Sequence, residues 1–229
     1  MRQISWIKGL YRVGLLALVL LMSPQLALAA SGAETEGFTP NPGLRIFATG
    51  ILGSDGTRFE KTLVTAKLDD EEYVTAAEVE LSYSEYGRQP MRPVPKDRAV
   101  WRYAGEDDGI VQIPLVTNRG QKKFFWLPMN VEAGVQWKAP WGRRREIMET
   151  GLTVETPAGR FTGCIMVEYD VYAGGTGIER HYIAPGVGLI KIVSLKGPQA
   201  ARGTTWFEVQ RIEKISLNEA ARIVSQMLE

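Results

Sequence analysis

One cysteine and one histidine are the residues of this chain best suited to nucleophilic chemistry. An imidazole activates a thiol only when the two groups lie within hydrogen-bond reach. The chain has one of each, Cys164 and His181, on strand-like segments that flank the glycine-rich turn 174–177. Each plausible register of that hairpin places Cys164 opposite residues 185–187. His181 is then at least four positions away, or roughly 13 Å at 3.3 Å per residue. The spacing therefore predicts no catalytic dyad.

The chain carries no pattern typical of other common catalytic or metal centres. A zinc site needs three or four ligands, and there is no second histidine or cysteine. No G-x-S-x-G, P-loop or G-x-G-x-x-G segment is present. Paired carboxylates for glycoside hydrolysis stay open, because a β-protein offers many acidic residues. We predict a protein that is not an enzyme and uses no cofactor or metal, with His181 meeting Asp170, Glu168 or solvent.

Three charged segments have a functional and a structural interpretation. The acidic clusters 69–72 and 106–109 do not alternate ligands as a calcium loop does, so they predict solvated turns. Arg143–Arg145, close to Trp137 and Trp141, could form a membrane-interface or polyanion-binding tip. Three charges are few for that purpose, because each contributes about 1 kcal/mol near an anionic surface. The sequence favours a solvated hairpin tip.

The segment from residue 153 to residue 192 shows which elements carry these side chains. Apolar residues alternate with polar ones from Phe161 to Val171, as in a strand with one buried face. Two further strand-like segments, 178–183 and 189–195, follow the glycines. Between them, Pro185 and Gly186 occupy the central positions of a type II turn, which requires a positive φ at Gly186. The pattern predicts a three-stranded meander.

The rest of the chain predicts more strands and one helix. Strand-like segments cover residues 44–52, 57–68, 73–84, 99–104, 109–117, 122–127, 134–140, 145–150, 152–156 and 204–215. The proline-rich segment 87–97 predicts a loop or an edge that cannot complete a ladder. Ser216 and Glu219 form a capping box before helix 216–228, whose apolar stripe includes Leu217, Val224 and Leu228. The predicted fold is mainly β. It is a curved antiparallel sheet or half-barrel of about ten strands, forming one domain over residues 44–229. The helix should pack against this sheet or cover its open side. If it covers the open side, Leu217, Val224 and Leu228 should face a concave aromatic wall.

Two segments carry a family resemblance. TPAGRF at 156–161, followed by Cys164, and YIAPGVGLIKI at 182–192 resemble secreted bacterial β-proteins of unknown function, which share TPAGxF and YxAPGVGL[IV]K segments. The resemblance extends loosely to GVQWKAPW at 134–141. That family is similar in architecture to the half-barrel carriers of lipoprotein traffic, the LolA/LolB-like folds. The resemblance implies a fold and a compartment, and no mechanism.

Residues 1–29 have the composition of a secretory signal peptide. A basic start precedes the apolar run Val13–Met22, and Ala27–Ala29 fits the small-x-small cleavage pattern. The run is shorter than the roughly 20 residues that span a bilayer, although an uncleaved anchor is the alternative. We predict a mature chain that begins at Ala30 or Ser31 and is periplasmic or extracellular. We expect no transmembrane span after cleavage.

Composition restricts the partners of the mature chain. The 27 basic and 26 acidic residues become a net charge of about −2 once a leader with three basic residues is removed. Such a balance does not predict a nucleic-acid partner. Residues 30–43 are small, polar and interrupted by proline, which predicts a flexible leader. Cys164 has no partner for an internal disulfide, so stability must come from the core.

Aromatic residues supply a candidate ligand-binding wall. Its proposed members are Trp101, Phe124, Trp126, Trp137 and Trp206, with Phe125 beside them. A curved sheet with such a wall predicts an exported module that binds or carries an apolar or amphipathic, lipid-like ligand. The alternative is a structural or protein-interaction module of the cell envelope, with a solid core and an envelope protein as partner. The family resemblance favours the first.

Overall fold

A computed structural model describes residues 35–52, 57–68, 74–83, 94–117, 123–138, 143–171, 177–196 and 203–229. The predicted signal peptide lies outside these residues. After a short 3-10 helix at Thr35–Phe38, the described strands are β1 (Leu44–Leu52), β2 (Thr57–Ala66), β3 (Val74–Tyr83), β4 (Val94–Glu106), β5 (Gly109–Thr117), β6 (Phe124–Pro128), β7 (Gln136–Lys138), β8 (Arg144–Thr156), β9 (Gly159–Asp170), β10 (Ile178–Ala184), β11 (Gly188–Lys196) and β12 (Thr204–Lys214). Helix α1 spans Leu217–Leu228.

All the described strands belong to one antiparallel sheet. Their order is β6-β5-β4-β3-β2-β1-β12-β11-β10-β9-β8-β7, so two six-stranded meanders meet where β1 pairs with β12. The sheet coils until its two ends share a core, in which Trp126 and Leu127 of β6 pack with Ile147 of β8 and Val167 of β9. The mainly β, curved antiparallel prediction is confirmed, with twelve strands where about ten were expected.

Side-chain alternation separates an inner from an outer face of this coiled sheet. On β2, Phe59, Lys61 and Leu63 face a central cavity, while Val64 and Ala66 pack beneath α1. On β4, Trp101 faces the same cavity and Val100 packs beneath α1. The cavity and the helix therefore lie on opposite faces of the sheet.

Helix α1 packs on the outer face and does not cover the open side of the sheet. Ala220 and Val224 are fully buried against β2 and β4, whereas Leu217 is 64% exposed and Leu228 37% exposed. The prediction that the helix packs against the sheet is confirmed. The alternative, in which it covers the open side with Leu217, Val224 and Leu228 facing the concave aromatic wall, is wrong. Ser216 accepts from the Glu219 N–H at 3.2 Å, as expected for the cap.

The Glu219 carboxylate has a tertiary partner that the sequence did not suggest. It accepts a hydrogen bond from Arg45 Nη2 of β1 at 2.7 Å. The contact ties the first turn of α1 to the outer face of β1, where Arg45 also lies 3.7 Å from Glu213. Together with the buried Ala220 and Val224, it sets the face on which the helix rests.

The turn between β10 and β11 adopts the predicted conformation and anchors the N-terminal segment. Gly186 has φ +66°, and the Val187 N–H donates to the Ala184 carbonyl at 3.2 Å, as in a type II turn. The Gly186 N–H donates to the Gly37 carbonyl at 2.6 Å, and the Asn41 N–H donates to the Gly186 carbonyl at 2.8 Å.

Residues 37–43 accordingly differ from the flexible leader expected there. Phe38 is 3% exposed and Pro40 is fully buried, so this segment packs as part of the fold. Its composition suggested a flexible chain, but the β10–β11 turn supplies partners for its backbone.

Two local expectations need correction. Of the segment 87–97, expected as a loop or an edge, residues 87–93 lie outside the described residues. It is strand from Val94 onward, with Pro95 at a break in register opposite Leu81, where a ladder tolerates proline. Of the strand expected at 134–140, the described residues form only the three-residue β7. Of the acidic clusters, 69–72 lies outside the described residues. Asp107 and Asp108 form the exposed β4–β5 turn, as predicted.

Candidate functional site

The inner face of the sheet encloses a cavity of about 290 Å³. Strands from both halves of the sheet line it. Its aromatic lining consists of Phe59, Trp101, Tyr103, Trp126, Trp206 and Phe207. Aliphatic residues, among them Ile46, Leu63, Leu189 and Ile192, cover much of the remaining wall. An engineered apolar cavity of about 150 Å³ binds benzene, so this one has room for a short alkyl chain or a two-ring aromatic group.

Three of the five predicted wall residues line the cavity: Trp101, Trp126 and Trp206. Phe124 is not one of the lining residues, and its ring packs edge-on to Trp101 at a centroid distance of 6.2 Å. Trp137 of β7 packs against the shared core at the sheet ends and is not part of the lining. Phe125, between Phe124 and Trp126 in the sequence, is not one of the lining residues either.

Polar groups are placed at separate points of this apolar wall. Lys61 Nζ lies 2.7 Å from Glu78 Oε1, and each side chain is 23% exposed. Gln112 Nε2 donates to the Tyr103 hydroxyl at 3.3 Å. Burial, with a smaller contribution from the nearby Glu78 carboxylate, raises the pKa of Tyr103 above its ordinary value. The phenol therefore stays neutral at physiological pH.

Glu179 and His181 form a second polar pair on the inner face of β10. His181 Nε2 lies 3.0 Å from Glu179 Oε2, and the two side chains are 16% and 12% exposed. The imidazole also packs against the Tyr169 ring, at a centroid distance of 5.3 Å. His181 thus meets Glu179 on its own strand, and the expected partners Asp170 and Glu168 do not contact it in the described structure.

Cys164 and His181 are not brought together. Ile165 pairs with Ile183 and Val167 pairs with His181, so Cys164 is three ladder positions from the residue opposite His181, or about 10 Å. That is one position closer than the expected minimum, and still too far for a dyad. Burial, partly offset by a backbone hydrogen bond from Val154, raises the pKa of the Cys164 thiol to about 11.

Arg145 joins the two ends of the coiled sheet. Its guanidinium carbon lies 4.7 Å from the Tyr169 ring centroid, 5.5 Å from that of Phe124 and 5.9 Å from that of Trp126. Its Nη1 also donates to the Trp126 carbonyl at 3.4 Å. Burial lowers the pKa of Arg145, an effect that its contact with Tyr169 opposes.

The arginine segment is therefore not a simple solvated tip. Arg145 is enclosed by rings, Arg143 donates to the Tyr169 hydroxyl at 3.4 Å, and the exposed Arg144 lies 3.5 Å from Glu146. Trp141 lies outside the described residues. Because its charges have partners within the chain, the segment does not present a block of three cations to a surface.

Sequence analysis missed several lining residues: Phe59, Lys61, Glu78, Tyr103, Glu179 and Phe207. The charged lining residues could have been found by one signal in the sequence: a charged residue that shares one face of a strand with apolar residues. Lys61 sits between Phe59 and Leu63 in this way. Such an inward charge needs a partner, and Glu78 on the neighbouring strand supplies it.

The described residues hold no group of three or more potential metal ligands. Within the same part of the chain, no helix is long and apolar enough to cross a membrane. The Trp126 indole N–H is buried and has no hydrogen-bond partner there. A buried hydrogen-bond donor without a partner destabilises the fold by about 1–3 kcal/mol. In native proteins such donors are rare and occur mainly at functional or strained positions.

No family model and no curated protein matches the chain. Among solved structures, a Bacteroides fragilis protein inferred to be exported, with a YmcC-like fold, aligns at 15% identity with a TM-score of 0.46 over 77% of this chain and 99% of its own. A Parabacteroides distasonis protein inferred to be a lipoprotein aligns at 11% identity with a TM-score of 0.40 over 80% of this chain and 100% of its own. At such identities and TM-scores neither similarity carries information on function. The motif resemblance and the likeness to LolA/LolB-like folds remain predictions.

Proposed function

We propose that this protein is an exported, non-enzymatic module that binds one apolar or amphipathic ligand in the cavity on the inner face of its sheet. The observation that carries the proposal is the cavity itself, about 290 Å³ in volume, with six aromatic residues in its lining. Ligand sites of this kind combine an apolar wall with a few polar groups that orient the ligand. The leader-like residues 1–29 support export.

The volume limits the size of the ligand. Ligand pockets commonly measure about 300–1,000 Å³, so this cavity lies at the small end. It suits a single short chain or a compact ring system and is too small for several lipid tails at once. The ligand class is therefore a small amphiphile rather than a whole membrane lipid.

A fluorescent probe tests the proposal directly. N-phenyl-1-naphthylamine, whose emission rises in apolar surroundings, should bind the purified protein saturably at one site. Decanol should displace it. Native mass spectrometry of material purified without detergent should also show a small bound mass where the natural ligand has been retained.

A pair of adjacent substitutions provides the control. Ile192 lines the cavity, whereas Val193 follows it in β11, pairs with Arg180 and is not part of the lining. Ile192→Trp should fill the cavity and weaken probe binding at least tenfold, while Val193→Trp should leave it unchanged. No saturable binding, or equal loss in both variants, would instead favour a solid-core structural or interaction module of the envelope.

A further inference from the structure

The charged side chains in the cavity lining do not balance. They are Lys61, Glu78 and Glu179. Lys61 and Glu78 form an ion pair with a distance of 2.7 Å, so their charges offset each other. Glu179 is left with His181, whose imidazole is neutral unless protonated. With that imidazole neutral, the lining residues of the described structure carry one net negative charge.

Glu179 has unused capacity to accept hydrogen bonds. The residue is 9% exposed, and its Oε2 is the oxygen that contacts His181 Nε2 at 3.0 Å. No hydrogen bond from the described residues reaches Oε1. A buried carboxylate is stabilised by several donors or by an opposite charge, because its two oxygens can accept about four bonds. Oε1 therefore offers an acceptor at the cavity wall for a donor that the ligand brings.

The aromatic lining suits the same kind of ligand. The faces of aromatic rings are electron-rich and attract cations, and clusters of rings are a common way to bind ammonium groups. One such contact exists within the chain, because Lys61 Nζ lies 6.0 Å from the ring centroid of Phe59, a lining residue. An anionic head group would instead be repelled by the Glu179 carboxylate, whose charge no lysine or arginine of the described lining offsets.

A nearby cation within the chain does not remove this preference. Arg145 contacts the ring of Trp126, but it is not one of the lining residues. Its guanidinium is held among the rings of Phe124, Trp126 and Tyr169 and bonds the Trp126 carbonyl. It has no ion pair with Glu179 in the described structure.

We propose that the ligand of this cavity is an amphipathic cation, with an apolar chain or ring system in the aromatic wall and an ammonium group against Glu179. The inference rests on the proposed binding function and adds the charge of the head group. Glu179 is the counter-ion in this arrangement. Lys61 and Glu78 form a neutral polar patch on the neighbouring strands.

Four probes with the same ten-carbon chain separate the head-group chemistries. Titration calorimetry at neutral pH would compare decylammonium, decyltrimethylammonium, decanol and decanoate on the purified full-length protein, below their micellar concentrations. We expect at least one of the two cations to bind about tenfold tighter than decanol, and decanoate to bind more weakly than decanol. A primary ammonium that binds better than the quaternary one indicates a hydrogen bond to Oε1, and the reverse indicates contact with the rings.

Two glutamate variants connect the preference to this residue. Glu179→Gln should abolish the advantage of the cations over decanol. Glu208→Gln is the matched control, because Glu208 pairs with Lys191 at 2.7 Å and is not part of the lining. Its head-group preference should equal that of the wild type.

The outcomes distinguish the two proposals. Binding of decanol or decanoate as tight as that of both cations in the wild-type protein overturns the cationic ligand and leaves the binding function intact. No saturable binding of any of the four probes overturns both. The wild-type comparison decides the question even if Glu179→Gln does not fold.

Discussion

Replacing Gly186 by alanine tests the conformation of the β10–β11 turn and its hold on the N-terminal segment. Gly186 has φ +66°, where an L-residue costs about 1–2 kcal/mol. A Cβ at this position would also lie 2.4 Å from Asn41 Nδ2. That atom ends a flexible, exposed side chain, so it can move away at a cost of about 0.5–1.5 kcal/mol if it leaves its rotamer.

These contributions predict that Gly186→Ala lowers the free energy of unfolding by about 1.5–3.5 kcal/mol. For a chain of this size the midpoint of thermal unfolding should fall by about 3–14 °C. Circular dichroism during thermal and urea unfolding measures both quantities. The urea m-value should not change, because the surface exposed on unfolding is the same.

Gly151→Ala is the matched control for this experiment. Gly151 has φ +73°, and an added Cβ would meet nothing within 4 Å. Gly151→Ala should therefore lower the free energy of unfolding by about 1–2 kcal/mol, from backbone strain alone. Asn41→Ser in the Gly186→Ala background should recover the difference between the two glycine variants. A Gly186→Ala protein with the same free energy of unfolding as the wild type would refute the turn assignment. One that loses only as much stability as Gly151→Ala would refute the contact with Asn41.

Two further predictions concern the outer-face helix and the buried thiol. Val224→Ala should lower the free energy of unfolding by about 2 kcal/mol, because Val224 is fully buried. Leu217→Ala should change that free energy by no more than about 0.5 kcal/mol, because Leu217 is mostly exposed. Both should bind N-phenyl-1-naphthylamine as the wild type does, and loss of binding in Val224→Ala would mean that the helix shapes the cavity. Cys164, with a pKa of about 11, should be about one part in a thousand thiolate at pH 8 and react slowly with a disulfide reagent until the protein is unfolded. Because the folded-state pKa is raised, its reaction should accelerate about tenfold per pH unit between pH 8 and pH 10; equal rates in folded and unfolded protein would contradict this burial.

The local elements of this fold were predictable because the signals that specify them are local. Strand β1 and strand β5 have the predicted bounds, since alternation and the turn residues beside them are read from neighbouring positions. Gly186 was predicted to need a positive φ from the Pro-Gly pair alone. Ser216 was recognised as the helix cap from its spacing to Glu219.

The amino-acid sequence thus determined the strands, the turn, the cap and a supply of aromatic residues. Tertiary structure alone decided which face of each strand turns inward, because alternation shows that residues share a face but not what that face meets. It placed α1 outside the sheet, where Ala220 and Val224 fit against β2 and β4, and so left the cavity without the expected lid. It also brought Glu179 to the cavity wall through long-range coiling of the sheet. That coiling depends on contacts between residues far apart in the chain, and no local pattern encodes them.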